Sequence, residues 1–221
     1  MATAYRMMAA CAVLMRMDGV ETNAWFGRSG QAFLATNSRS PYQGPAAGRA
    51  LPFRDALAGG DLGVARAIAA LLPTVLREDE EFADEFFFQR FLIAQFLTAN
   101  AKEAAMALEA LSTCREAAED GRLLICEAFQ RGNQESFAQG LMELIEAHRT
   151  RYVDLTQREA APDIELCTLG AICIDGLAMV RLASAAGIAI ADQYPLIPNF
   201  LIATAPTPLA ANAWLSEPSV V

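Results

Sequence analysis

Apolar positions crowd most densely between Asp163 and Ile190, in the stretch DIELCTLGAICIDGLAMVRLASAAGIAI. A helix apolar on nearly every side is one that neighbours must cover, so the pattern predicts a buried central helix over about 163–190. Gly170 and Gly176 would admit a close neighbour, and Gly187 marks the stop. Glu165, Thr168, Ile172 and Asp175 fall on one side of such a helix and Arg181 on another. Helical spacing recurs at 133–157, where Phe137, Leu141, Leu144, Ile145 and Tyr152 share a face. Further helices are expected at 2–17, at 61–72 closed by Pro73, at 82–96 and at 122–130. The run at 82–96 carries six phenylalanines, a large contribution to a core; aromatics beyond the core face would supply a partner-binding patch. The segment 18–35 is ambiguous, with GlyArgSerGly at 27–30 read as a turn.

Between the helices the punctuation repeats. ALAGGDLGVA (56–65), FLTANAKEAA (96–105) and AFQRGNQESF (128–137) each end one helix on apolar residues, turn, and restart. Gly or Asn stands near the stop and Asp or Asn near the start, as helix caps require. The spacing is irregular, which favours stacked hairpins over a regular solenoid. The expected fold is all-α: stacked antiparallel helical hairpins around the central helix, in one domain spanning 1–221. A loop is expected at 36–51, and an irregular apolar tail at 192–221, where prolines recur.

Composition narrows the function classes. The chain carries 26 acidic and 17 basic residues, a net charge of −9, the opposite of what direct nucleic-acid binding requires. Sixteen of the basic residues are arginine and only Lys102 is lysine, read first as coding bias. The five cysteines (Cys11, Cys114, Cys126, Cys167, Cys173) are odd in number and lack CxxC spacing, so free core thiols in a reducing, cytoplasmic setting are expected. The apolar stretch 7–15 is too short and too closely flanked by charge for a signal core. Residues 193–216 are uncharged, but prolines at 195, 198, 206 and 208 argue against a spanning helix; no membrane association is expected.

Chemistry is sparse. His148 is the only histidine, and Glu143 and Glu146 stand at the wrong spacing for a helical metal site. No nucleophile context or phosphate loop is present, so neither catalysis, cofactor nor metal is expected. An enzyme would need a pocket of converging polar groups, for example near Asp175 or His148. The sharpest surface feature is the acidic run Glu78, Asp79, Glu80, Glu81, Asp84 and Glu85. It suits a helix N-terminus, and it would equally steer a basic partner.

Several segments taken together resemble a known family. They are FRDALAGGD (53–61), DEEFADEF (79–86), GRLLICEAF (121–129), FAQGLMELIEAH (137–148), ELCTLGAICID (165–175) and YPLIP (194–198). In order and spacing these resemble the immunity protein 49 family of bacterial polymorphic-toxin systems, over roughly 52–203. The PoNe-type DNase immunity proteins share a similar helical style. The resemblance implies an all-α cytoplasmic protein that binds and neutralises a cognate toxin, often one delivered by type VI secretion. A nuclease toxin with a basic cleft would complement the six acids at 78–85, the candidate toxin contact. A helical adaptor or chaperone for a secreted effector is the alternative; it would bind without inhibiting.

Overall fold

The computed structural model describes residues 1–37, 45–46, 50–205 and 209–215. Among them the fold is all-α. The helices are α1 (Ala2–Leu14), α2 (Gly19–Asn37), α3 (Leu51–Ala58), α4 (Leu62–Ala69), α5 (Ala83–Leu92), α6 (Ala101–Leu111), α7 (Arg115–Glu119), α8 (Arg122–Arg131), α9 (Gln134–Gln157), α10 (Asp163–Thr168), α11 (Ile174–Ala185) and α12 (Asn199–Ala203). A short π-helical turn, Ile93–Leu97, extends α5.

The three repeated segments are the junctions α3–α4, α5–α6 and α8–α9, and they are built alike. A residue with positive φ ends each first helix: Gly60 (75°), Ala99 (52°) and Gly132 (65°). An N-cap follows at once. Asp61 accepts from Val64 N at 3.0 Å, Asn100 from Glu103 N at 3.2 Å and Asn133 from Ser136 N at 3.0 Å. Each cap satisfies a backbone donor that the first helical turn leaves open. The two helices at each junction pack on one another.

The centre differs from the expected single long helix. The stretch 163–190 is divided: α10 runs into a 3-10 turn at Leu169–Ala171, the backbone is extended at Ile172 (φ −138°, ψ 119°), and α11 restarts at Ile174 and ends at Ala185. The break frees the Cys173 N–H, which donates to the Leu196 carbonyl at 2.8 Å. The YPLIP segment therefore holds the interruption in place, with Ile197 packed beside Gly176. By length and composition Asp163–Ala185 could cross a membrane, yet 67% of its most apolar window is buried, as in a core helix. The expected common face of Glu165 and Asp175 is lost, because the two lie on different helices.

The central position is shared with α3. Every residue from Pro52 to Ala58 is buried, and α3 packs against both α11 and α2. Its charged pair, Arg54 and Asp55, is 5% and 0% exposed, which is tolerable only because both are partnered. One other expectation is corrected. GlyArgSerGly (27–30) lies inside α2. Its glycines are there for room, since a Cβ on Gly27 would stand 2.6 Å from Leu209 and one on Gly30 2.5 Å from Val64. The tail from 192 holds α12 and a 3-10 turn at Ala213–Leu215. The loop expected at 36–51 falls largely outside the described residues; its ends are the last turn of α2 and the start of α3.

Phe88, Phe91, Phe129 and Phe137 anchor the core between α5, α8 and α9, with Phe129 centred 5.4 Å from Phe137 and 4.8 Å from Phe96. Gln89 is an anomaly among them. It is 2% exposed and neither amide atom has a hydrogen-bond partner among the described residues. A buried amide without partners costs about 1–3 kcal/mol. Gln89→Met keeps the length and removes that cost. We expect a gain of about 1 kcal/mol in urea unfolding; a loss would show that the amide is satisfied in solution.

Candidate functional site

Two places gather the chemistry-bearing residues: the acidic segment before α5 and a polar cavity deeper in the fold. The segment 74–82 leaves α4 and enters α5 through turns. Glu78, Asp79 and Glu80 are exposed, Glu80 pairing with Arg77 at 3.0 Å. Glu81 turns inward; its side chain is 0% exposed and accepts from the Arg77 backbone N–H at 3.1 Å. Asp84 and Glu85 occupy the first turn of α5, where the helix dipole favours them, and both face arginines. The six acids are thus split: three stand outside and three are held within. Beside the outer three, Val75 and Phe82 are 74% and 78% exposed.

Two of the inward acids, Asp84 and Glu85, belong to a network that sequence reading did not foresee. Arg122, at the start of α8, pairs with Asp84, with Asp120 at 2.7 Å and with Glu85 at 3.2 Å. Glu85 also accepts from Arg54 at 2.7 Å. Arg54 in turn lies 3.0 Å from Asp175. One continuous chain of charge therefore joins α5, α8, α3 and α11. Buried arginine suits this role because its planar fork engages several carboxylates at once. The neighbouring pair is Arg6 on Asp55, with Ser29 donating to Asp55 at 2.7 Å.

This network lines a cavity of about 270 Å³, bounded by Arg6, Arg54, Asp55, Glu85, Tyr152 and Asp175, with His148 also on its wall. It is the pocket of converging polar groups near Asp175 and His148 that catalysis would require. Arg6, Arg54, Asp55, Glu85 and Asp175 among its charges are, however, committed to each other. Burial works against ionisation of Asp175, but Arg54 and Arg6 outweigh it and hold the carboxyl below its usual range, the wrong direction for a general acid. Burial pushes Asp55 upward against the pull of Arg6 and Ser29. His148 is lowered by burial, against the pull of Asp175, and its ring lies tilted against that of Tyr152, with centroids 4.8 Å apart. Structural ion-pair networks perturb pKa values just as active sites do, and this one reads as structural. Among the described residues no group of three His, Cys, Asp or Glu could hold a metal ion.

All five cysteines are free. Cys126 and Cys173 are core thiols, raised by burial, Cys173 to about 12. Cys11 and Cys114 are half-buried and Cys167 is exposed on α10, a departure from the expectation of five core thiols that follows from α10 lying at the surface.

A family comparison adds to this geometry. A family model described as immunity protein 49 matches residues 6–201, most of the chain. The chain belongs to the immunity protein 49 family. Comparisons with curated proteins and with solved structures returned no match. The match begins in α1 and ends in α12, so the matched span of this chain contains the arginine-carboxylate network and the acidic segment. The signal for the network was present in α3: a charged pair inside a segment otherwise apolar enough to be buried.

Proposed function

We propose that this protein binds a cognate antibacterial toxin directly and neutralises it in the cytoplasm of the cell that carries it. Membership of the immunity protein 49 family carries this reading. An immunity family implies a toxin partner, and delivery of that toxin between bacteria, as by type VI secretion, fits the reading. The contact we favour is the outer half of the acidic segment: Glu78, Asp79 and Glu80 with Val75 and Phe82. Aromatic anchors ringed by charge are the usual strong points of protein interfaces, and three exposed acids would steer a toxin with a basic cleft, such as a nuclease.

The test is co-expression with the toxin encoded beside it, in a sensitive host. Rescue of growth with a co-purifying complex supports the proposal; a complex without rescue would favour an adaptor. On the purified pair, the combined Glu78→Arg, Asp79→Arg and Glu80→Arg variant should lower the association rate by roughly tenfold or more at low salt, with the gap closing as salt rises. Phe82→Ala should instead speed dissociation by roughly tenfold. Unchanged kinetics in both variants would place the interface elsewhere.

A further inference from the structure

A second cavity, of about 690 Å³, lies between the α3–α4 junction, the π-helical turn, α11 and α12. Its size is that of a small-molecule site. The walls are mostly aliphatic and aromatic, with Leu57, Leu62, Phe96, Ile190 and Ile202 among them, and Arg181 stands in the wall. That arginine is half-buried, and it differs from the deeply buried Arg54 and Arg122. Arg54 pairs with two carboxylates and Arg122 with three. Arg181 has none among the described residues. All its acceptors are neutral: Ala58 O at 2.5 Å, Leu201 O at 2.8 Å, Asn23 Oδ1 at 2.9 Å and Thr204 O at 3.3 Å. Four dipoles fix the guanidinium in place without cancelling its charge. Charges drawn out of water are ordinarily paired, and the partial burial of this one draws it down to about 10.

We propose that this cavity binds an apolar monocarboxylate, its headgroup on Arg181 and its hydrocarbon against Leu57, Leu62, Phe96, Ile190 and Ile202. Five guanidinium N–H groups meet four acceptors, and the Nη1 atom holds only the longest of those bonds, so that edge retains a donor for a carboxylate oxygen. Ser184, one turn along α11 and also in the wall, lies on the same helix face and supplies a hydroxyl donor. Apolar walls favour a single negative charge over a phosphate, whose second charge would be left unpaired. The site is independent of the toxin contact, which lies on the segment before α5.

The test is calorimetric titration of the full chain with decanoate, below its micelle concentration, against decanol as the uncharged probe. The expected result is saturable one-to-one binding of decanoate, at least about tenfold tighter than decanol. Arg181→Gln should erase that preference while leaving decanol binding in place. Leu62→Trp, which narrows the cavity without touching Arg181, should abolish both. Absence of saturable decanoate binding, equal affinity for the two probes, or an undiminished preference in Arg181→Gln would overturn the proposal. If Arg181→Gln does not fold, the decanoate-to-decanol ratio and the Leu62→Trp variant decide.

Discussion

Arg122→Met is expected to lower the unfolding free energy by about 3 kcal/mol, in urea titration or in heat. The guanidinium is 7% exposed and serves Asp84, Asp120 and Glu85, which are 14%, 24% and 28% exposed. Removing it leaves three neighbouring carboxylates with one cation fewer and no room to separate. Breaking a fully buried pair costs about 3–5 kcal/mol, and the partial exposure of the acids places this case at the lower end. Methionine retains most of the packing over Phe88, whose ring lies 5.7 Å from the guanidinium carbon. For a chain of this length the loss corresponds to a melting temperature lower by roughly 6–12 °C. Arg122→Lys should recover only part of it, because an ammonium cannot reach three carboxylates in three directions. A loss below about 0.5 kcal/mol in Arg122→Met would put the network among the weak surface pairs and remove it as a determinant of the fold.

The second large effect is expected at Gly121, where α7 turns into α8. Its φ of 79° lies in the left-handed region, which costs an L-residue about 1–2 kcal/mol. A Cβ there would also drive into the backbone carbonyl of Gly140 and stand 2.8 Å from the Glu143 Cβ. Neither is the far end of a flexible side chain, so α8 and α9 would have to move apart. We expect Gly121→Ala to cost about 3–5 kcal/mol. Gly132→Ala is the control. It shares the positive φ, 65°, but a Cβ there meets nothing within 4 Å, so about 1 kcal/mol is expected. Chemical denaturation of both variants separates backbone conformation from helix contact. Equal losses would mean that the close approach of α8 and α9 contributes nothing.

Helix punctuation was the most legible part of the chain. Asp61, Asn100 and Asn133 act locally, within three residues of the groups they cap, and so a single sequence exposes them. The long helix α9 was legible for the same reason, its apolar face recurring at regular spacing. The break at Ile172–Cys173 was not, because its cause lies elsewhere: a carbonyl at Leu196, twenty-three residues on, receives the freed N–H. Helix α3 was hidden by its own Arg54 and Asp55. Charged residues normally signal surface, and only tertiary partners from α1, α2, α5 and α11 reverse that reading. The acidic run at 78–85 illustrates the limit most clearly. Six acids look alike in sequence, while Arg54, Arg77 and Arg122 decide which of them reach solvent.

That division bears on the energetics of association. Leu72 is buried at one end of the turn segment, and Glu81, Asp84 and Glu85 are fixed inside at the other. The exposed Glu78, Asp79, Glu80 and Phe82 are thus carried on a short span of chain moored on both sides. A surface loop free to wander must surrender conformational entropy when a partner seizes it, about 0.5–1.5 kcal/mol for each immobilised side chain. Here much of the backbone share was surrendered when the chain folded, so a partner would meet a span already close to its bound shape.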